Sequence, residues 1–412
     1  MGNHLRNNRN DKKFFLSFLL VLISPLLFAG QSPAESQIFE KWLEGVRLEA
    51  LARGIQSGTL NDVFAGIEPL NEVTELDRQQ PEFRQAFWEY LNARVTPARI
   101  EQGRAYLKEY RKILNKVSKT YGVQPHFLVA LWGIESDYGA IKGSYPLVAA
   151  LATLAFEGRR TAFFRRQLLD LLQLIDEGHI RNDATGSWAG AMGHTQFMPE
   201  TYRKHAIDFD KDGRKDLWYS LADVFASSAN YLALSGWEKG KGWGREVLLP
   251  EGFDYALCDL RIKKTLSEWR KLGVQKVGNG RLPQGKTEAS LVLPGGADGG
   301  PALLVYQNFH VLLEWNRSIL YAVSVGHLAD RLTGAPAFRQ PGKNIAALTL
   351  AESMELQRLL ACWGYYKGEV DGIAGTKTRE AIRIFQQENL LPADGYPSLR
   401  TLEYLRVKTN QI

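Results

Sequence analysis

Apolar residues recur with a helical period along the first third of the chain. From Ile38 to Tyr121 they are spaced by three and four in FEKWLEGVRLEALARGI, FRQAFWEYLNARV and RIEQGRAYLKEYRKILNKVSKTYG. Positions three and four apart share one face of a helix, so this spacing predicts amphipathic helices with one buried side. Further helices are predicted in PHFLVALWGIES, TAFFRRQLLDLLQLIDEG and SLADVFASSANYLALSGW, the last ending at Gly236.

Strand-like segments appear only late. EASLVLP and PALLVYQNF are separated by the turn-rich GGADGG, which predicts a hairpin. The fold class is therefore mainly α (α+β), with a small β element. After Gly334 the run GAPAFRQPGKN combines Gly, Pro and polar residues, and the helical pattern restarts beyond it. This run is a candidate linker to a small helical domain.

The N-terminus has the pattern of a secretory signal peptide. A basic start precedes an uncharged run from Phe14 to Ala34, with Ser32 and Ala34 at positions −3 and −1 of a cleavage site. An uncleaved N-terminal anchor is the alternative, and the lack of a nearby Cys excludes a lipoprotein anchor. We expect a signal peptide over 1–34, a main domain over 35–334, a linker over 335–344 and a small domain over 345–412.

Composition narrows the class of protein. A chain of 412 residues with 45% hydrophobic content can bury proper cores, which excludes a disordered protein. The net charge is +6, and four basic residues against one acidic residue place half of it in the signal segment. The remaining excess is too small to predict nucleic-acid binding, although it suits an anionic polymer. Cys258 and Cys362 exclude a cysteine metal site and leave open one disulfide bond.

One carboxylate stands at the end of an apolar stretch. In LWGIESDYG, Glu135 follows FLVALWGI near the end of a predicted buried helix. Desolvation and the negative end of the helix dipole both disfavour ionisation there, so we expect a raised pKa. A protonated carboxyl in a cleft suits general acid catalysis at a glycosidic oxygen, whereas the alternative is an ordinary Glu paired with an Arg. Asp137 would point elsewhere on a helix, so no tight acid pair is predicted.

The glycine-rich segment GSWAGAMGHTQFMP, from Gly186 to Pro199, has the features of a sugar-binding loop. Its glycines allow backbone to approach a ligand, and Ser187 and Gln196 can hydrogen-bond to hydroxyl and acetamido groups. Apolar surface for stacking comes from Trp188, Met192, Phe197 and Met198. A purely structural loop is the alternative. His194, a lone histidine, receives no role.

The segment DFDKDGRKDLW matches the first half of a calcium loop. Asp208, Asp210 and Asp212 occupy positions 1, 3 and 5, and Gly213 occupies position 6. Position 12 is Tyr219 instead of the expected Glu, so a calcium site would be closed by Asp216 or Asp223. The alternative is a solvated Asp-rich turn. Zinc-protease, hydrolase-elbow, P-loop and dinucleotide motifs are absent from the sequence.

Five motifs in order resemble the B-type lytic murein transglycosylase family. They are LWGIESDYG, GRRTAFFRRQL, GSWAGAMGHTQFMP, DFDKDGRKDLW and LEWNRSILYAVSVGHLA, and the likeness runs from Phe39 to Leu332. The tail LQRLLACWGYYKGEVDGIAGTKTREAIRIFQQENLLPADG is similar to the three-helix peptidoglycan-binding domain. The resemblance implies a lysozyme-like catalytic domain over 35–334 and a peptidoglycan-binding domain over 345–412.

The resemblance implies a reaction with one carboxylate. Glu135 protonates the oxygen between N-acetylmuramic acid and N-acetylglucosamine and then takes the proton of the muramoyl 6-hydroxyl, which gives a 1,6-anhydro product without water. The substrate's own acetamido group stabilises the cationic centre, whereas an ordinary glycosidase needs two carboxylates. No cofactor is required, and Ca²⁺ would be structural. A hydrolytic muramidase and a non-catalytic wall-binding scaffold are the alternatives.

The resemblance also implies binding residues. Ser187, Gln196, Asn316 and Tyr321 match sugar-contacting positions, and Arg159 and Arg160 match a pair that meets stem-peptide carboxylates, for which Arg is well suited. Trp315 stands where the best-known relatives have Tyr, so we expect stacking to replace a hydroxyl contact there.

The expected setting follows from the signal peptide and the resemblance. We expect a monomer in the periplasm of a Gram-negative bacterium that acts on peptidoglycan glycan strands and does not bind nucleic acid. Other cell-wall enzymes stay open as partners.

Overall fold

The computed structural model describes residues 33–79, 85–158, 160–278, 280–339 and 346–410. Most of them are helical, as the apolar spacing predicts. The helices before the linker are α1 (Pro33–Ala52), α2 (Ser57–Phe64), α3 (Asn71–Gln79), α4 (Phe87–Arg94), α5 (Pro97–Glu109), α6 (Arg111–Tyr121), α7 (Pro125–Ser136), α8 (Leu147–Glu157), α9 (Thr161–Asp176), α10 (Pro199–His205), α11 (Leu221–Leu234), α12 (Leu266–Lys271), α13 (Gly296–Gly299), α14 (Gln307–Trp315) and α15 (Ile319–Leu332).

The strands form two antiparallel sheets in the described part of the chain. They are β1 (Tyr145–Pro146), β2 (Thr185–Gly186), β3 (Gly244–Leu248), β4 (Lys264–Thr265), β5 (Gln275–Lys276), β6 (Gly280–Arg281), β7 (Glu288–Val292) and β8 (Ala302–Val305). β1 pairs with β2, and the others form a sheet in the order β4-β7-β8-β3-β5-β6.

The predicted hairpin is present, because β7 pairs with β8 and Leu291 faces Leu304 across the ladder. The short helix α13 lies in the connection that was predicted as a turn. The sheet has more strands than the sequence predicts. Of these, β4, β5 and β6 have two residues each, which is too short for an alternation of apolar and polar residues to appear in the sequence.

Helix α7 lies at the centre of the main core. It begins with Pro125 at its first position, where the missing N–H breaks no hydrogen bond, and its side chains from Phe127 to Gly133 are buried. It packs against α15, α5 and α6. The helix ends at Ser136, and the residue that caps it, Asp137, has a left-handed backbone with φ of 49°. Its last turn carries Glu135, which is partly exposed.

The six-stranded sheet has an apolar core of its own. Trp269 of α12 is fully buried in it and donates its indole N–H to the Ala289 carbonyl at 2.9 Å. Cys258 belongs to this core and is a free thiol, as is the exposed Cys362. The disulfide bond that the sequence left open therefore does not form.

The C-terminal region forms a small helical domain with its own core around Leu360, Ile382 and Phe385. Its helices are α16 (Leu350–Cys362), α17 (Thr376–Glu388) and α18 (Leu399–Thr409). The domain contacts the six-stranded sheet region, since Arg383 pairs with Asp259 at 2.7 Å and the Ala297 N–H donates to Asp394 at 2.8 Å.

Two predicted segments fall partly outside the described residues. The predicted signal peptide lies outside them apart from Pro33 and Ala34, which begin α1. The predicted linker is described only up to Arg339, and that part is packed, because Phe338 stacks on His327 with ring centroids 3.9 Å apart. In the part of the chain that the structure describes, every helix is too short or too polar to cross a membrane.

Candidate active site

Glu135 receives two hydrogen bonds on the same carboxyl oxygen. The Trp315 indole donates to Oε1 at 2.6 Å, and the Tyr321 hydroxyl donates to the same atom. Among the described residues no donor lies against Oε2 of the partly buried Glu135. The carboxyl group is therefore fixed through one oxygen while the other is free to meet a ligand.

Burial has the largest effect on the pKa of Glu135. It raises the pKa of the carboxyl group from 4.5 to about 7, although the Tyr321 and Trp315 donors and the positive charge of Arg94 oppose the shift. The raised pKa predicted from the sequence is thus present. At neutral pH a large fraction of Glu135 carries a proton, which a general acid needs.

Trp315 donates its indole N–H to Glu135, a contact that the expectation of stacking at this position did not include. The indole nitrogen takes over the donor role. The ring also packs against Phe197 and Tyr231, with centroids 5.2 and 5.0 Å apart. These contacts fix the ring plane and so aim the N–H at Oε1.

Tyr321 is 3% exposed and donates its hydroxyl to Glu135, so this side chain positions the carboxyl group instead of presenting a free hydroxyl to sugar. Burial first, and then the neighbouring Glu135, raise its pKa well above the ordinary range. Tyr321 therefore keeps its proton at neutral pH and stays a donor to Glu135.

The glycine-rich segment lies directly against the end of α7. The Ser136 hydroxyl, next to Glu135, donates to the His194 carbonyl at 2.8 Å. The His194 ring accepts from the Trp132 indole at 2.7 Å and faces the Trp218 carbonyl at 3.0 Å. Burial, and secondarily Lys142, lower the pKa of His194 to about 4, so the ring is neutral and structural. Nothing in the sequence pattern indicated this link.

Ser187 and Gln196 have intramolecular partners in the same segment. The Ser187 hydroxyl accepts from the Ala191 N–H at 2.9 Å, and the Gln196 amide donates to the Gly193 and Lys142 carbonyls at 2.8 and 3.2 Å. Both side chains are partly exposed. Each thus closes a turn while it keeps polar atoms available to a ligand.

The remaining predicted binding residues lie at the edge of the site or beyond it. Asn316 follows Trp315 and is exposed, and its side chain accepts from the Ser318 N–H at 3.1 Å. Arg159 lies outside the described residues. Arg160 is exposed before α9, with its guanidinium 5.4 and 5.2 Å from the ring centroids of Phe163 and Phe164. The structure does not bring Arg160 into contact with Glu135.

Asp137 is turned away from Glu135. It follows the end of α7 and pairs at 2.9 Å with Arg99 in the first turn of α5. The expectation that the two acids do not form a tight pair agrees with this geometry. Among the described residues no other carboxylate is hydrogen-bonded in the group around Glu135.

The three predicted calcium ligands converge. Carboxylate oxygens of Asp208, Asp210 and Asp212 all lie within 4.8 Å of one another. Hard oxygen donors at such spacing suit Ca²⁺. The fit is partial, because the sequence places a Tyr where the bidentate Glu of the loop belongs.

The two acids predicted to close the calcium loop, Asp216 and Asp223, accept hydrogen bonds from backbone N–H groups of the loop. Asp223 is fully buried and accepts from the Phe209 and Asp216 N–H groups at 2.6 and 2.8 Å. Asp216 accepts from the Trp218 and Tyr219 N–H groups. Neither belongs to the convergent cluster, and both hold the backbone of the loop, so closure by Asp216 or Asp223 stays a prediction without support from this geometry. Tyr219 is 85% exposed.

Comparison with known proteins places this site in a family. The model of the transglycosylase SLT domain matches residues 38–330, and that of the peptidoglycan binding domain matches residues 350–405. The chain belongs to the lytic transglycosylases of the SLT family. It is 32% identical over 255 residues to membrane-bound lytic murein transglycosylase B of Escherichia coli K12, covering 60% of this chain and 67% of the relative.

Solved lytic transglycosylases have the same fold. SltB3 from Pseudomonas aeruginosa, solved with NAG-anhNAM-pentapeptide, is 46% identical with a TM-score of 0.85 and covers 92% of this chain and 100% of its own. The Escherichia coli lytic transglycosylase Slt35 in complex with calcium is 27% identical with a TM-score of 0.58, covering 74% and 93%. These likenesses confirm the predicted mainly α, lysozyme-like fold with a C-terminal helical domain.

Proposed function

We propose that this lytic transglycosylase cleaves the β-1,4 bond between MurNAc and GlcNAc of peptidoglycan without water and releases 1,6-anhydroMurNAc ends. The observation that carries the proposal is the single carboxyl group of Glu135, fixed through Oε1 and with a pKa of about 7. SltB3, at 46% identity, was solved with a 1,6-anhydro ligand, and this supports the same product here.

Glu135 acts first as an acid and then as a base. The proton on Oε2 moves to the glycosidic oxygen, and the bond from that oxygen to C1 of MurNAc breaks. The acetamido oxygen of the sugar stabilises C1. The Glu135 carboxylate then takes the proton of the 6-hydroxyl, whose oxygen bonds to C1, so the carboxyl group returns to its starting state.

Trp315 and Tyr321 support the intermediate state of this cycle. After the first proton transfer Glu135 is negatively charged in a buried setting, and two preformed donors on Oε1 stabilise that charge. The pairing of Asp137 with Arg99 removes the nearest second acid from the reaction. A glycosidase that activates water would need such a second carboxylate.

Product analysis tests the proposal. Digestion of murein sacculi should release 1,6-anhydromuropeptides, and Glu135→Gln should abolish the release while the melting temperature stays at or above that of the parent. Asp137→Asn is the matched control, since it makes the same carboxyl-to-amide change two residues away and should retain most activity. Products with reducing ends would show a hydrolytic muramidase instead.

We also propose roles for residues around Glu135 and in the calcium loop. Ser187, Gln196 and Asn316 contact the sugars, and Arg159 and Arg160 meet the carboxylates of the stem peptide. The partly exposed polar atoms of Ser187, Gln196 and Asn316 support the sugar contacts. The cluster of Asp208, Asp210 and Asp212 would hold a structural Ca²⁺, in keeping with the calcium complex of Slt35.

The C-terminal domain anchors the enzyme to the wall, and the protein works in the periplasm. The match to the peptidoglycan binding domain over residues 350–405 supports this role. A chain truncated after Gly334 should still cleave glycan but be recovered less in sacculus pull-downs. Undiminished recovery would show that the wall contact lies in the catalytic domain.

A further inference from the structure

Three consecutive residues with a left-handed backbone follow the end of α7. Asp137, Tyr138 and Gly139 have φ values of 49°, 59° and 84°. Glycine adopts this region freely and Asp tolerates it better than most residues, but a bulky side chain such as that of Tyr138 is strained there. Such strain persists only where the surroundings hold it, and it concentrates at functional sites. Here it begins two residues after Glu135.

The Tyr138 ring is held by packing that two glycines allow. The ring is 8% exposed and lies edge-on to Tyr106 and Trp132, with centroids 5.2 and 5.3 Å apart. A Cβ on Gly103 of α5 would lie 2.3 Å from the Tyr138 hydroxyl, and a Cβ on Gly133 of α7 would lie 2.7 Å from Cζ. The two glycines therefore form a slot between α5 and α7 that this one ring fills.

The hydroxyl group of Tyr138 ties the ring to the far side of the slot. It donates to the Arg99 carbonyl in the first turn of α5 at 2.7 Å, across 39 positions of chain. Burial raises the pKa of Tyr138 above its ordinary value, so the hydroxyl keeps its proton and remains a donor. The end of α7 is thus joined to a second helix three residues after Glu135.

The left-handed turn closes on the residue next to Glu135. The Gly139 N–H donates to the Ser136 carbonyl at 3.0 Å, and the Ser136 hydroxyl donates to the His194 carbonyl at 2.8 Å. A Cβ on Gly139 would lie 2.1 Å from Cε1 of His194, so glycine is needed where this ring approaches the turn. The backbone that carries Glu135 is therefore fixed from two sides, by the glycine-rich segment and by Tyr138.

We propose that Tyr138 is a positioning residue for Glu135: by filling the slot it holds the left-handed turn and so keeps the carboxyl group aligned with its donors, Trp315 and Tyr321. Tyr138 acts through the backbone, since its own hydroxyl donates to Arg99. A small rotation of the last turn of α7 would displace Oε1 from both donors, and hydrogen bonds weaken steeply as their geometry departs from the optimum.

The indole N–H signal of Trp315 tests the positioning without any turnover. In the ¹⁵N-labelled full chain this signal is identified by its loss from Trp315→Phe. Tyr138→Phe keeps an aromatic ring in the slot and removes only the hydrogen bond to Arg99, so the hold on the turn loosens. We expect the Trp315 signal to shift, because its partner Glu135 moves.

Tyr202→Phe is the matched control for this experiment. Tyr202 is fully buried in the same core and also donates its hydroxyl to a backbone carbonyl, that of Lys215. The variant therefore loses the same kind of buried hydrogen bond away from the turn. It should leave the Trp315 signal where the parent has it.

A second pair of variants narrows the slot instead. Gly103→Ala places a methyl group against the Tyr138 hydroxyl and the Leu332 side chain, whereas Gly45→Ala, also inside a helix, meets no atom within 4 Å. Both exchanges favour the helix equally in their local effect. Only Gly103→Ala should shift the Trp315 signal.

Cleavage kinetics give a further readout, which rests on the function proposed above. Tyr138→Phe should lower kcat for the release of 1,6-anhydro products by about tenfold, because a small misplacement of a reacting group is costly. KM should stay within about twofold, since the exchange leaves the sugar contacts in place. Tyr202→Phe should change neither constant.

Two results would overturn the proposal. One is a Trp315 signal in Tyr138→Phe that superimposes on the parent's. The other is an equal effect of Tyr138→Phe and Tyr202→Phe on signal and kcat, which would show a loss of stability alone. A parent chain that releases no 1,6-anhydro products would instead refute the proposed function, and the Trp315 signal would still decide whether Tyr138 positions Glu135.

Discussion

At the scale of single residues, the position of Glu135 depends on Trp315 and Tyr321. Both donate to Oε1, and both belong to the late segment EWNRSILY. They reach the carboxyl group across 180 and 186 positions of chain. The raised pKa thus reflects a balance, in which burial favours the protonated acid and the two donors favour the carboxylate.

We predict that Trp315→Phe slows cleavage and makes Glu135 a weaker acid. Without the indole donor the pKa of Glu135 should rise further, so the pH at which activity declines moves upward. The charged intermediate loses one hydrogen bond, which lowers kcat by about tenfold or more. Trp315→Tyr keeps a donor and is the control. A pH–rate profile of Trp315→Phe that superimposes on the parent's would contradict the assigned contact.

The sign of the pH dependence follows from the raised pKa of Glu135. Activity that needs the protonated acid should fall as pH rises through about 7. The folded protein binds this proton more tightly than the unfolded chain, whose Glu titrates near 4.5, so the stability contribution is complete below 4.5 and disappears as pH rises through 7. Glu135→Gln has no group that ionises at this position. Its free energy of unfolding should therefore exceed the parent's at pH 8, on the order of 2 kcal/mol, but not at pH 4. Thermal melts at both pH values check it.

The sequence singled out the carboxyl group that we propose to react, but not the contacts that position it. Glu135 could be found because an acid at the end of an apolar helix is conspicuous in the local pattern. The indole contact of Trp315 and the link from Ser136 to His194 depend on tertiary packing. No periodicity within one segment encodes such contacts.

At the scale of elements, the loop after α10 and the first turn of α11 carry two kinds of acid with different roles. Asp208, Asp210 and Asp212 converge at the surface, whereas Asp223 is buried and accepts backbone N–H groups of the loop. The sequence spacing predicts that the first group converges, and its carboxylate oxygens do lie within 4.8 Å of one another, while calcium binding stays a prediction. The spacing could not tell whether Asp223 is a metal ligand or an acceptor for backbone N–H groups, because both roles need a carboxylate at a similar position.

We predict that the two kinds of acid respond differently to Ca²⁺. Ca²⁺ at a hundredfold excess over Kd should raise the parent's free energy of unfolding by up to about 2.7 kcal/mol and so raise its melting temperature. Asp210→Asn should lose this gain. Asp223→Ala should be destabilised by about 2 kcal/mol or more with or without Ca²⁺, because it leaves buried N–H groups without acceptors. The exposed Asp62→Asn is the control. Equal melting temperatures with Ca²⁺ and with chelator would remove calcium from the site.

At the scale of the whole molecule, the C-terminal domain is fixed to the sheet region by contacts that include a largely buried ion pair. The side chains of Arg383 and Asp259 are 17% and 12% exposed, and Arg383 also donates to the Cys258 carbonyl. The sequence predicted a separate wall-binding domain joined by a linker, but its pattern could not reveal the contact. The ion pair joins residues 124 positions apart.

We predict that this ion pair makes the two domains unfold together. The parent should show one calorimetric transition, whereas Arg383→Met should separate a C-terminal transition at lower temperature, because among the described residues it leaves the buried Asp259 with Arg261 as its one ion-pair partner. Arg400→Met is the matched control: Arg400 pairs with Asp298 at the same interface, but both side chains are more than half exposed and the pair contributes little. If both variants melt like the parent, the ion pair does not couple the domains. If both separate equally, coupling arises from net charge at the interface and not from the buried pair.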